Sequence, residues 1–240
     1  MNNATPADDS DTFGLFIDGV YAKPLSDNLT EARNPATGEI VGIVAQANSD
    51  DVDRALSSAD KAFPDWRDLQ PSVRESLFLK AADVLANSSE ELKDVLIDEV
   101  GSTALKASYE VHHTQAFLRG MAGECRRIRG ETYNSDYPGV HSYCIRQPLG
   151  IVVAISPFNF PLLLAVRKIG WALAAGNCVI LKPSEAAQIV GLKLGEILTG
   201  AGFPVGVLNV LPGSGVELGD SLILDSRVKK VTFTGSTDAG

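Results

Sequence analysis

Four short segments hold the residue types best suited to chemistry, and each directly follows an apolar run. Asn159 stands in Ser156-Pro157-Phe158-Asn159-Phe160-Pro161, where two prolines fix the backbone while the carboxamide keeps its N–H groups for a partner. A donor oriented before charge develops suits an oxyanion. An asparagine closing its own turn accounts for the same residues, and both readings stand. Lys182-Pro183-Ser184-Glu185 offers an ammonium and a carboxylate suited to ribose hydroxyls or phosphate. Taken alone, an ordinary surface pair at a helix start, worth ~0–1 kcal/mol, suffices. Gly213-Ser214-Gly215-Val216-Glu217-Leu218-Gly219 misses the GxGxxG dinucleotide spacing by one residue, yet still allows a tight turn and close approach of a ligand to the backbone. Gly235-Ser236-Thr237-Asp238-Ala239-Gly240 places small residues where a helix is expected to begin, an arrangement suited to pyrophosphate. Asp238 would oppose an anion there and is expected to face solvent.

The elements that position these segments read as strands alternating with helices. Apolar runs at 150–156, 177–184, 206–212 and 229–235 are separated by helical patterns at 162–175, 188–200 and 216–224. Such runs, joined by stretches long enough for a crossover helix, predict a parallel sheet covered on both faces. Right-handed crossovers make it α/β, doubly wound and Rossmann-like, and ligands then bind beyond the carboxyl ends of the strands. Upstream, residues 13–128 read as short strands followed by helices. Ser49 is expected to cap the first helix, with Asp50 and Asp51 in its first turn; Pro71 opens the second; Ser88 with Glu91 forms a capping box for the third, which Gly101 ends. A longer helix spans about 103–127. Its adjacent His112 and His113 point in different directions, which argues against a shared metal. Residues 129–147 read as a protruding hairpin, residues 148–240 as the sheet core, and the polar, acidic residues 1–12 as a flexible tail.

Composition narrows the function further. The 240 residues include 21 basic and 30 acidic ones, a net charge of -9, which disfavours nucleic acid and anionic membrane surfaces. Gln147–Val166 is free of charge over 20 residues, but Pro148, Pro157, Pro161 and Asn159 break it as a membrane span. Cys125, Cys144 and Cys178 make neither a disulfide framework nor a metal-ligand spacing, so no metal and a reducing cytoplasm are expected.

It is the ordered set that is specific. With PFNFP, LKPSE, the glycine pair and FTGST each at a strand end, together with NPATGE, GETYNSDYPG and ALAAGNCVILKPSE, the chain resembles the NAD(P)-dependent aldehyde dehydrogenase superfamily along nearly all its length after the tail. The resemblance implies oxidation of an aldehyde by a cysteine nucleophile, hydride transfer to nicotinamide, and glutamate-assisted hydrolysis of the acyl-enzyme. It implies that Asn159 shares the oxyanion hole. It places Lys182 and Glu185 at the adenosine ribose, Gly215 by the adenine and Gly235 and Ser236 near the pyrophosphate, and adds Ser184, Gly219, Phe233, Thr237 and Gly240 to the cofactor-binding residues. Ile155, Ser156 and Phe158 would line the cofactor cleft. Glu185 would repel a 2′-phosphate, so NAD is expected in preference to NADP. Lys168 receives no catalytic role.

The family's glutamate and cysteine are expected beyond residue 240, since Cys178 lies in a buried strand and Cys125 and Cys144 lie away from the strand ends. By itself this chain is therefore expected not to form NADH from an aldehyde. PFNFPLLL and GETYNSDYPGVHSY are most similar to the branch acting on aromatic aldehydes such as benzaldehyde, salicylaldehyde or vanillin. The resemblance turns Phe160 and Leu163 toward the substrate tunnel. Arg167 either favours an anionic substituent or simply faces outward, the second reading being preferred. The hairpin resembles an oligomerisation element, which implies a homo-oligomer, dimer or tetramer, when intact. Two alternatives are an acylating enzyme that passes the thioester to coenzyme A or phosphate, and a nucleotide-binding or assembly module without redox chemistry.

Overall fold

Strand order explains why the candidate residues collect at one edge. A computed structural model describes residues 12–25, 27–237 and 240. The tail expected over 1–12 lies outside the described residues except for Thr12, which is already paired: β1 (Thr12–Phe13) runs parallel to β5 (Ile40–Ala45), and β5 also pairs with β4 (Leu29–Arg33). β2 (Leu15–Ile17) and β3 (Val20–Ala22) form a hairpin across Asp18 and Gly19, at φ of 56° and 74°, as a two-residue primed turn requires.

The main sheet also contains β8 (Ile151–Ile155), β9 (Cys178–Lys182), β10 (Leu208–Val210) and β11 (Val228–Phe233), in the order β11-β8-β9-β10-β2-β3. β8 and β9 are almost wholly apolar because both of their faces are covered. The four later strands are parallel, whereas β2 is antiparallel to β10. The expected parallel core is therefore present, and the N-terminal β2 and β3 extend it with antiparallel strands. Without the N-terminal hairpin, β10 would be left as an unpaired edge.

Helix α5 (Pro161–Ala174) joins β8 to β9, and α6 (Gln188–Gly200) joins β9 to β10 on the same face. Helix α7 (Gly215–Ile223) then returns the chain across the opposite face to β11, beside α1 (Ser49–Asp68). Because β11 lies on the far side of β8, the winding direction reverses there, and a crevice opens at the carboxyl ends of the strands. Helices α2 (Pro71–Asn87), α3 (Ser89–Val100) and α4 (Ala104–Glu124) form a further layer over α5 and α6. β6 (Glu131–Tyr133) and β7 (Ser142–Cys144) make a separate two-stranded sheet.

Two caps differ from expectation. Asn48, not Ser49, caps α1: its backbone is extended, its side chain accepts the Asp51 N–H at 2.9 Å, and the Asp51 carboxylate accepts the Asn48 N–H at 3.3 Å. Ser88 does precede α3, but it also ends α2. Its φ of -92° and ψ of 15° are not the extended geometry that a side-chain cap needs, so the expected box with Glu91 does not form. Gly101 ends α3 at φ 70°, as expected.

The charge-free stretch divides into β8, the Asn159 loop and the start of α5, and no helix among the described residues is long and apolar enough to cross a membrane. α4 meets α5 closely at Gly170, where a Cβ would overlap the buried Met121 sulfur. Gly170→Ala is expected to cost roughly 1–3 kcal/mol, through displacement of Met121 or separation of the helices. Urea melts check this, and an unchanged midpoint would show that Met121 yields freely.

Candidate functional site

The loop between β8 and α5 presents Asn159 to solvent. Among the described residues its carboxamide makes no hydrogen bond, so it does not close its own turn. Before it, Ser156 is buried and donates its N–H to the Lys182 carbonyl at 3.1 Å, which extends the β8–β9 ladder. Ile155 is half-buried, Phe158 is 60% exposed, and Phe160 packs edge-on to Tyr109 with ring centroids 6.3 Å apart. Lys106 lies over the same Phe160 ring, its Nζ 4.7 Å from the centroid.

The start of α5 lacks a local cap, because Phe160 occupies the N-cap position. Glu110, fully buried on α4, supplies one: its Oε1 accepts the Leu162 N–H at 2.8 Å and the Leu163 N–H at 3.1 Å, while Oε2 meets Lys106 at 3.2 Å. Helix α6 repeats the arrangement. Ala187 stands at its N-cap, and Glu99 from α3 accepts Ile189 N–H at 2.7 Å and Val190 N–H at 2.9 Å. Burial pushes the Glu99 carboxyl up to about 7, although its backbone hydrogen bonds pull the other way. Neither carboxylate was singled out from the sequence. The signal was available: Phe160 and Ala187 cannot cap a helix, and Glu99 falls on the buried stripe of α3 with Leu92 and Leu96.

Lys182, Glu185 and Gly215 come together at the ends of β9 and β10. Glu185 Oε1 accepts the Gly215 N–H at 2.9 Å, which leaves Oε2 for another donor. Lys182 is buried and forms no ion pair with Glu185; its Nζ donates to the Pro183 carbonyl at 3.2 Å, and burial lowers its pKa against the opposing pull of Glu185. The surface-pair reading is therefore not what the residues do. A Cβ on Gly215 would meet only Lys182 Cε, at 3.9 Å, and one on Gly219 would meet nothing within 4 Å, so the space above both is open. Ser184 sits in the turn that leads to α6, its carbonyl accepting the Ala187 N–H at 3.0 Å.

At β11 the Thr234 N–H donates to the Ile155 carbonyl at 3.2 Å, and Lys168 of α5 donates to the Thr234 hydroxyl, linking the two sides of the crevice. That tie was also missed. The Phe233 ring folds over Gly235, where a Cβ would overlap it, and lies 3.1 Å from a Cβ built on Gly240. The helix expected after Thr234 is absent among the described residues; instead the Gly240 N–H returns to the Thr237 carbonyl at 3.3 Å. Ser236 and Thr237 are exposed, and Asp238 lies outside the described residues.

Leu163 is 8% exposed, and its N–H is held by Glu110 at the start of α5. Arg167 is exposed, with its guanidinium 5.3 Å over the Phe117 ring. His113 stacks on Tyr109 at 3.8 Å, and no metal-binding group of His, Cys, Asp or Glu is found among the described residues. Cys125 and Cys178 are buried, Cys144 is exposed on the hairpin, and burial pushes the Cys178 thiol up to about 12, far from a reactive thiolate.

A model of the aldehyde dehydrogenase family matches residues 21–240. Glutarate-semialdehyde dehydrogenase of Pseudomonas aeruginosa is 36% identical over 225 residues, covering 94% of this chain and 47% of that protein. Vanillin dehydrogenase of Pseudomonas fluorescens is 40% identical over 229 residues, with the same shares. Among solved structures, an NAD-dependent benzaldehyde dehydrogenase from Corynebacterium glutamicum superposes with a TM-score of 0.90 at 33% identity, covering 94% of this chain and 48% of that one. The chain thus spans about half the length of the relatives it matches.

Proposed function

Because the chain belongs to the aldehyde dehydrogenase family, we propose that it forms the nicotinamide-nucleotide-binding half of an enzyme that oxidises an aldehyde to a carboxylic acid. The observation that carries this reading is the exposed Asn159 carboxamide, which has no hydrogen-bond partner among the described residues and shares one end of the sheet with Lys182, Glu185 and Gly215. Asn159 donates to the developing oxyanion, and its direction is set by the flanking prolines and by the Glu110 cap on α5. The open space over Gly215, the second Glu185 oxygen and the buried Lys182 ammonium fit an adenosine ribose. When bound, the dinucleotide supplies the hydride acceptor.

NAD is the proposed cofactor, because a ribose 2′-phosphate would bring like charge against Glu185. Calorimetric titration of the 240-residue chain is expected to give NAD at least about tenfold tighter than NADP, a difference of ~1.4 kcal/mol. Glu185→Gln is expected to narrow that gap, and tighter NADP binding to the unaltered chain would refute the assignment.

For the substrate we propose a planar aromatic aldehyde, supported by the Tyr109–His113 stack and the Phe160 ring beside the Asn159 loop. Arg167 rests on Phe117, which favours a packing role over recognition of an anionic substituent. Arg167→Leu in the full-length enzyme is expected to leave the ratio of kcat/KM for neutral and carboxylated aldehydes unchanged. The β6–β7 hairpin exposes Tyr133, Tyr137, Val140 and Tyr143 and has unpaired edges, which supports its proposed role in joining copies of the enzyme.

A further inference from the structure

A second concave surface lies at the other end of the strands. A cleft of about 620 Å³ is lined by Arg67, Arg74, Arg126 and Arg146, together with Ser72 and Pro148, and none of its lining residues is acidic. Pro148 leads into β8, and Ala175, also in its wall, leads toward β9. The cleft therefore opens at the amino ends of the parallel strands, away from the edge that carries Asn159 and Lys182. Its charge runs against that of the chain, whose net is -9.

Two of the four guanidiniums already have carboxylates: Arg67 pairs with Asp68 at 2.8 Å, and Arg126 with Glu75. The other two form no ion pair among the described residues. Arg146 is exposed. Arg74 is only 6% exposed, and its Nη1 is spent on the carbonyls of Trp66, Arg67 and Leu69, at 3.2, 3.3 and 2.6 Å. Those contacts cap the end of α1, which accounts for one nitrogen of the fork. Nε has no hydrogen-bond partner among the described residues but is itself buried, so Arg74 contributes its charge to the cleft and not that donor. The start of α2 reinforces the field, since Pro71 and Ser72 open it with no acidic residue in the first turn and no side-chain cap.

We propose that this cleft binds the phosphate group of a small molecule, at a site separate from the dinucleotide edge. The four arginines come from α1, α2, the segment after α4 and the segment after β7, so the positive lining of the cleft is built from four separate segments. That arrangement matches a tetrahedral phosphate better than a planar carboxylate, which a single fork satisfies. The volume leaves room for the rest of a phosphorylated molecule beside the anion.

The test is calorimetric titration of the 240-residue chain with inorganic phosphate, at ionic strength held constant with chloride. One saturable site is expected. Arg146→Gln, which has no ion pair to lose, is expected to weaken it about tenfold, the loss of one charge-assisted hydrogen bond. Arg67→Gln/Arg146→Gln is expected to abolish it, while Arg33→Gln, on β4 and outside the cleft lining, leaves it unchanged. Absence of saturable binding overturns the proposal. So does affinity that survives the double substitution, since phosphate would then be bound elsewhere.

Discussion

Glu110→Ala is expected to lower the unfolding free energy by about 3–5 kcal/mol, the range for removing one partner of a buried, hydrogen-bonded charge. The substitution leaves the Leu162 and Leu163 N–H groups without an acceptor at a buried helix start and opens a void between α4 and α5. It also removes a negative charge from the positive end of α5. In thermal melts the midpoint is expected to fall by roughly 10 °C. Glu110→Gln retains a carbonyl oxygen for the two donors and frees only the half-exposed Lys106, so it is expected to cost about 1–2 kcal/mol. Equal losses for the two variants would mean that charge, not the acceptor, is what matters. A loss below ~1 kcal/mol for alanine would show that α5 caps itself by other means.

The consequence reaches the site because α5 begins two residues after Asn159. A β8–α5 loop with a loosened helix start keeps its prolines but loses the anchor that sets its exit direction. Catalytic preorganisation depends on such anchors, since a donor displaced by about 1 Å can lose a hundredfold in rate.

These dependencies mark the boundary of what the sequence discloses. The alternation of strands and helices from Ile151 onward was legible because buried parallel strands such as IVVAI and CVILK are written as local apolar runs. That the candidate residues gather at one end of the sheet followed from topology alone, since residues after such strands share that end. Pairing of the N-terminal β2 with β10 was not legible, because Phe16 meets Val210 across nearly two hundred residues of chain and nothing local specifies that partner. The caps failed for a related reason. Ser88 has the right side chain, but its conformation is dictated by α2 ending at the same residue. Asn48 and Ser49 are both good capping residues, and backbone geometry chooses between them. The roles of Glu99 and Glu110 depend on which helix packs against which, information that resides in the tertiary fold.

Glu99 gives the second large effect, and its sign runs opposite to that of most structural carboxylates. A glutamate ordinarily titrates near 4.5, whereas burial holds Glu99 in the folded chain at about 7, despite the Ile189 and Val190 N–H groups that favour its ionised form. Between those two values the folded chain retains a proton that the unfolded chain has released. The contribution of this group to stability is therefore greatest below about 4.5, declines as pH rises toward 7, and is level above that. The full span is on the order of 3 kcal/mol, at 1.36 kcal/mol per pH unit of separation. Other groups titrate over the same interval, so the quantity to measure is the difference between the original chain and Glu99→Gln, which cannot ionise. That difference, from urea midpoints between pH 4.5 and 8, is expected to move against the original chain as pH rises. Parallel curves would mean that the two N–H donors already hold Glu99 ionised throughout. Because the Gln188 side chain at the start of α6 donates to the Glu185 carbonyl at 3.0 Å, the ionised and protonated caps would also differ in how firmly they hold Glu185. NAD affinity that changes between pH 6 and 8 in the original chain, but not in Glu99→Gln, is the expected signature of that link.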